Sequence, residues 1–126
     1  EGGNELETCL SILNEIMGMK EAAAFLRPVD PVADQVPSYF QYIDEPMDLG
    51  TVKDSLVGGE YECAHDVRRH VTLVWRNCLT FNGSDNSVYA ECKKCADRFE
   101  ELFRARIRPE RHQGPLSPRG ASGCGM

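Results

Sequence analysis

Between residues 22 and 47 the chain carries Pro28, Pro31, Pro37 and Pro46, and this proline-punctuated stretch limits the fold more than any other feature. Each proline removes a backbone donor and steers its predecessor away from helical geometry, so the stretch cannot be one helix. It does not read as a linker either, because Phe25, Val29, Val36, Tyr39, Phe40, Tyr42, Ile43 and Met47 are interleaved along it. A structureless connection of that length is uncommon inside a compact domain unless it is functional. The spacing predicts a short helical turn from Ser38 to Ile43.

Four amphipathic segments frame the connection. The first opens at Asn4, with Glu7 three residues on in capping-box order, and places Leu6, Cys9, Leu10, Leu13, Ile16 and Met17 on one helical face. Asp48 can cap a short second helix with Leu49, Val52 and Leu56 inward, stopped by Gly58-Gly59. A third runs from about Glu62 to Phe81, with Val67, Val71, Val74, Trp75 and Cys78 on one face. The fourth starts at Ser87 and continues to about Arg108, with Val88, Cys92, Cys95, Phe99, Leu102, Phe103 and Ile107 inward. No strand pattern and no internal repeat competes. The class is all-α, most simply a four-helix bundle with a long first-to-second helix connection. One domain over residues 1–108 is expected, followed over 109–126 by a disordered basic tail rich in Gly, Pro, Ser and Arg.

The net charge of −6 hides a split. From Arg104 onward five Arg face a single Glu110, a net of +4, which leaves −10 on residues 1–103. An acidic body argues against gripping a phosphate backbone, which calls for clustered Lys and Arg, and suits a basic partner instead. No apolar run approaches the ~20 residues of a membrane span. The six cysteines lack the spacing of a secreted disulfide framework; five fall in or at the start of helices, and a reduced intracellular compartment is the simpler expectation. Cys92-x-x-Cys95 shares a helix face, but zinc needs four ligands and no second pair stands at motif spacing. There is no Gly-rich phosphate loop, nucleophile elbow or His-Glu-x-x-His, so neither an enzyme nor a cofactor is expected.

Between Pro28 and Asp48 there are five acids (Asp30, Asp34, Asp44, Glu45, Asp48) and no Lys or Arg. Such a segment can form an apolar hollow with a negative rim, or a solvated loop pinned by a few core residues; periodicity favours the loop. Phe25-Leu26-Arg27-Pro28-Val29-Asp30-Pro31, Pro37-Ser38-Tyr39-Phe40, Ile43 through Val52 with Pro46-Met47-Asp48-Leu49-Gly50 inside it, and Asn77-Cys78-Leu79-Thr80-Phe81-Asn82 together strongly resemble the bromodomain family, over about residues 6–107.

The resemblance implies a left-handed four-helix bundle with a pocket at one end, and an acetylated lysine on a histone tail or another protein as the ligand. It implies a nuclear, monomeric reader module in chromatin or transcription regulation, with no sequence-specific nucleic-acid binding and no membrane. On the matching positions, Asn82 would anchor the acetyl carbonyl and Tyr39 would reach it through water. Val29 and Val36 would line the connection side, Phe25 the floor, and Phe81 the flank of the anchor. Val88 would be the gatekeeper, with Asp34 and Cys78 completing the site. Departures from the pattern stand out: Ala23-Ala24-Phe25 replaces the usual Trp-Pro-Phe shelf, and Asp34 an often apolar residue. Phe81 stands where Tyr is common, and His70 where Asp is usual. They point to a divergent member of protozoan type, and the lost shelf slightly favours a second reading, a scaffold that no longer reads acetyl-lysine; a third is a metal or redox protein built on the cysteines.

Overall fold

The computed structural model of the chain describes residues 2–109. Its helices are α1 (Gly2–Met17), α2 (Tyr39–Tyr42), α3 (Leu49–Val57), α4 (Ala64–Asn82) and α5 (Ser87–Arg106), with a 3-10 segment at Lys20–Phe25. No strand occurs among the described residues, and no helix there is long and apolar enough to cross a membrane. α2 is the single turn expected within the connection, so α1, α3, α4 and α5 form the bundle. The expected basic tail falls, from residue 110 on, outside the described residues.

The apolar stripes pack as their spacing demands. Ile12, Leu13 and Ile16 of α1 meet Leu49 and Val52 of α3, Val67 and Val71 of α4, and Cys92, Cys95 and Phe99 of α5 in one buried cluster. Three ends differ from expectation. α1 begins at Gly2, so Asn4 lies within its first turn and cannot be the non-helical residue that opens it. α4 starts only at Ala64, because Cys63 takes extended geometry. α5 stops at Arg106, where Ile107 turns extended (φ −114°, ψ 136°) while staying buried. Cys9, Cys78, Cys92 and Cys95 are free and buried. Cys63 is disulfide-bonded, so the expectation of wholly reduced thiols does not extend to that residue.

The proline-rich connection is held by specific bonds rather than by regular structure. Asp30 Oδ1 accepts from the N–H groups of Val32 and Ala33, and Asp34 Oδ2 accepts from Asp30 N–H at 2.9 Å. Val36 N–H closes a turn onto Pro31 O at 2.8 Å. Asn77, buried on α4, donates its side-chain amide to Glu45 O at 2.8 Å. Gly50 N–H donates to Leu26 O at 3.1 Å, and a Cβ there would collide with that oxygen, so only glycine permits the approach. Asp48 caps α3, accepting Thr51 N–H at 2.9 Å and Thr51 Oγ1–H at 2.7 Å. That role buries Asp48, so it lines the cavity without presenting an exposed charge at the rim. Tyr39 at the start of α2 and Ile43 just past its end lie four residues apart and turn inward, while Phe40 and Tyr42 are 55% and 61% exposed.

Candidate functional site

A cavity of about 360 Å³ opens where the connection, the end of α4 and the start of α5 meet. All nine candidate residues line it: Phe25, Val29, Asp34, Val36, Tyr39, Cys78, Phe81, Asn82 and Val88. The volume is at the small end of ligand pockets, which run from about 300 to 1,000 Å³. Three separate stretches of chain converge here, so the site depends on the connection being fixed over the helix ends.

Asn82 is the last residue of α4 and half-buried. Its Nδ2 donates to Cys78 O at 3.1 Å and lies 3.6 Å from Cys78 Sγ. A backbone carbonyl only accepts, so this contact fixes which way the amide faces. Sulfur is a weak acceptor, so the donation to Cys78 Sγ is the one that a stronger oxygen acceptor could take over. The helix stops here because Gly83 adopts φ 81°, ψ 163°, a region open essentially to glycine alone. Its N–H closes α4 onto Leu79 O, and Asn86 then caps α5 by accepting from Val88 N–H at 2.7 Å. Four residues, Gly83 to Asn86, thus reverse the chain and bring Val88 to the cavity.

Tyr39 is 7% exposed and packs edge-on against Phe81, ring centroids 4.9 Å apart. Burial, with the nearby Cys78 sulfur, pushes its phenol above its ordinary value. The hydroxyl therefore stays protonated through the neutral range and can donate as well as accept. Phe25, at the end of the 3-10 segment, sets its ring perpendicular to Trp75 at 5.8 Å and closes the floor. Ala23 and Ala24 stand exposed at the mouth, where the resemblance implies a tryptophan shelf.

Asp34 lines the cavity, but one of its carboxylate oxygens is occupied by Asp30 N–H, so it shapes the loop as well as the rim. His70, where the resemblance implies Asp, pairs with Tyr61 across 2.7 Å and lies outside the cavity lining. Sequence reasoning missed Arg27, Met47 and Val74 as wall residues. Val74 was recoverable, since it precedes Cys78 and Phe81 at helical spacing. Arg27 had no signal in periodicity, and it adds a cation to a rim expected to be purely acidic. The resulting site suits a neutral group with one strong acceptor and a small apolar end.

Comparison with known proteins matches this geometry. The bromodomain family model covers residues 9–94. Bromodomain-containing factor 1 of Saccharomyces cerevisiae is 40% identical over 104 residues, 80% of this chain and 15% of that protein. Transcription factor GTE11 of Arabidopsis thaliana is 39% identical over 101 residues, 80% of this chain and 16% of that relative. The chain therefore spans only a small part of the curated relatives it matches. The second bromodomain of Candida albicans Bdf1, solved bound to an imidazopyridine, superposes with a TM-score of 0.77 at 35% identity, covering 81% of this chain and 99% of that one. The bundle has that fold, a left-handed arrangement of four helices. The chain belongs to the bromodomain family.

Proposed function

We propose that this domain, over residues 1–108, is a reader of acetylated lysine on histone tails or other proteins, acting as a monomeric module in the nucleus. The observation that carries the reading is Asn82: a half-buried amide held by Cys78 O, its other donation only to the weakly accepting Cys78 sulfur, at an apolar cavity that also holds the Tyr39 phenol. Acetylation turns a lysine ammonium into a neutral amide with one carbonyl acceptor and a methyl. The carbonyl, a stronger acceptor than the Cys78 sulfur, fits the Asn82 amide N–H, with Tyr39 reaching it through water, and the methyl fits among Phe25, Val29, Val36, Phe81 and Val88. An unmodified lysine would leave its charge desolvated among those side chains, costing several kcal/mol unless paired. Asp34 and Arg27 at the mouth would meet residues flanking the acetylated lysine, and Cys78 forms the wall behind the anchor.

This function has no catalytic step. The lining carboxylates are engaged in shaping the chain, Asp34 on Asp30 N–H and Asp48 on Thr51. A single pocket of this size binds on the order of 10–100 µM, about −5 to −7 kcal/mol. Titration calorimetry with a multiply acetylated histone-tail peptide tests the reading. Binding by the parent, with loss in Asn82→Ala and for the unacetylated peptide, supports it; equal binding by both variants or both peptides overturns it. The exposed Ala23 and Ala24 favour one second reading, a scaffold without acetyl-lysine affinity. An acetyl-peptide array with no hits beside a robust protein partner would select it.

A further inference from the structure

Among the described residues the exposed large apolar side chains are Val32, Phe40, Tyr42, Val57 and Leu79. Of these, Phe40 and Tyr42 join the cavity wall through ring contacts. Phe40 packs edge-on against Tyr39 with centroids 5.6 Å apart, and Tyr42 against Phe81 at 6.0 Å. Tyr39 and Phe81 line the cavity, so an aromatic surface runs outward from its wall over α2. Both outer rings stay open to solvent.

Two carboxylates follow that surface in the chain. Asp44 and Glu45 come just after Tyr42, both are exposed, and neither side chain has a hydrogen-bond or ion-pair partner among the described residues. The backbone that carries them is fixed, since Ile43 N–H closes α2 onto Tyr39 O at 3.0 Å and Asn77 donates to Glu45 O. No Lys or Arg occurs between Pro28 and Asp48 to neutralise them, and Arg76, which shares a groove with Glu45, forms no ion pair with it. An aromatic face attracts a cation through its ring quadrupole, and a nearby carboxylate adds a second attraction. Arginine satisfies both at once, because its planar guanidinium stacks on rings and also meets a carboxylate with paired donors.

We propose that Phe40, Tyr42, Asp44 and Glu45 form a docking surface for an arginine that flanks the acetylated lysine on the same peptide. The proposal rests on the acetyl-lysine reading of the cavity and adds the neighbour that the peptide carries. An extended peptide advances about 3.3 Å per residue. Tyr42 stands one ring contact beyond Phe81 of the cavity wall, so the arginine belongs within a few residues of the acetylated lysine. Its guanidinium covers the exposed Tyr42 ring, and Asp44 or Glu45 accepts from its N–H groups. Both interactions face solvent, and together they strengthen peptide binding by about three- to tenfold. Lysine gains less at this surface, being a compact and strongly hydrated charge. An acidic neighbour is repelled by the same two carboxylates.

The test is titration calorimetry of the full chain with peptides that carry one acetylated lysine in an alanine and glycine background. A single arginine is stepped through the positions on either side of the acetylated lysine. Each peptide is compared with its citrulline counterpart, which keeps the shape of arginine and loses the charge. The expected result is a gain of about three- to tenfold from arginine at one position or two neighbouring ones, smaller at high salt. The gain is read as a ratio within each protein variant, so any change common to both peptides cancels. It should fall towards one in Phe40→Leu with Tyr42→Leu, and also in the isosteric pair Asp44→Asn with Glu45→Gln. Acetylated peptides that bind with no arginine gain at any position overturn the docking surface and leave the reader function standing. A gain that persists in full in either variant overturns it too, since the arginine is then held elsewhere. Failure of every acetylated peptide to bind overturns the reader function, and the docking surface with it.

Discussion

Replacing Gly50 with alanine tests how the connection is held over the cavity. Gly50 N–H donates to Leu26 O at 3.1 Å, and a Cβ at position 50 would fall on that same oxygen. On its other side stands Asp48 Oδ2, 3.2 Å away, already bonded to Thr51 N–H. Neither neighbour is the loose end of a long side chain, so the backbone must separate. The lost hydrogen bond is worth about 1 kcal/mol, and forced overpacking costs about 1–3 kcal/mol. Alanine regains about 1 kcal/mol of helix propensity over glycine in α3. The net destabilisation is then about 1–3 kcal/mol, which at roughly 4 °C per kcal/mol for a domain of this size lowers Tm by about 4–12 °C. Thermal unfolding followed by far-UV circular dichroism, at matched pH and salt, measures it. Leu26 leads directly into Arg27, Pro28 and Val29 of the cavity wall, so the variant should also bind peptide more weakly well below its Tm. A Gly50→Ala protein that melts within about 1 °C of the parent would refute the reasoning.

Other perturbations reach different parts of the same frame. Gly83→Ala should cost about 1–3 kcal/mol in urea unfolding, because φ 81° is strained for alanine although nothing crowds its Cβ; an unchanged midpoint would contradict that assignment. Asp48→Ala removes the cap of α3 and orphans the Thr51 hydroxyl, for a loss of about 1–2 kcal/mol that Asp48→Ser should largely recover. Stability should also decline in alkali. Cys9 and Cys95, held up to about 12 and about 11 by burial, stay protonated in the folded chain while the unfolded thiols ionise from about pH 9. Their contribution is thus complete below the unfolded value and lost as pH rises towards the folded ones; a urea midpoint flat from about pH 8 to 11 would argue against it.

The helices were legible because their signals are local. Asp48 before Leu49, Gly58-Gly59 after Val57, and the apolar stripes of α4 and α5 each act within a turn or two of chain. The cavity wall was legible for a different reason, since its residues sit in motifs whose joint order is specific, and the fold brings them together. What escaped was tertiary. Gly50 looks like an ordinary helix glycine until Leu26 O is placed against it. Asp34 reads as a rim charge until Asp30 N–H claims one oxygen. Cys78 and Cys92 each fit an inward stripe, and no periodicity shows that Cys78 also reaches the cavity wall while Cys92 stays in the core. The 3-10 segment at Lys20–Phe25 was likewise hidden, because three successive alanines carry no face to read.

The central claim is that the Asn82 side-chain amide holds an acetylated lysine in this cavity. The most direct measurement is a nuclear magnetic resonance titration of isotope-labelled protein with an acetyllysine peptide, following the side-chain NH2 resonances. The account predicts that the Asn82 amide protons shift with the ligand, saturating together with backbone signals of Val29, Val36 and Val88, and that the unacetylated peptide moves none of them. Shifts confined to residues away from the cavity, with Asn82 unmoved at saturation, would contradict it.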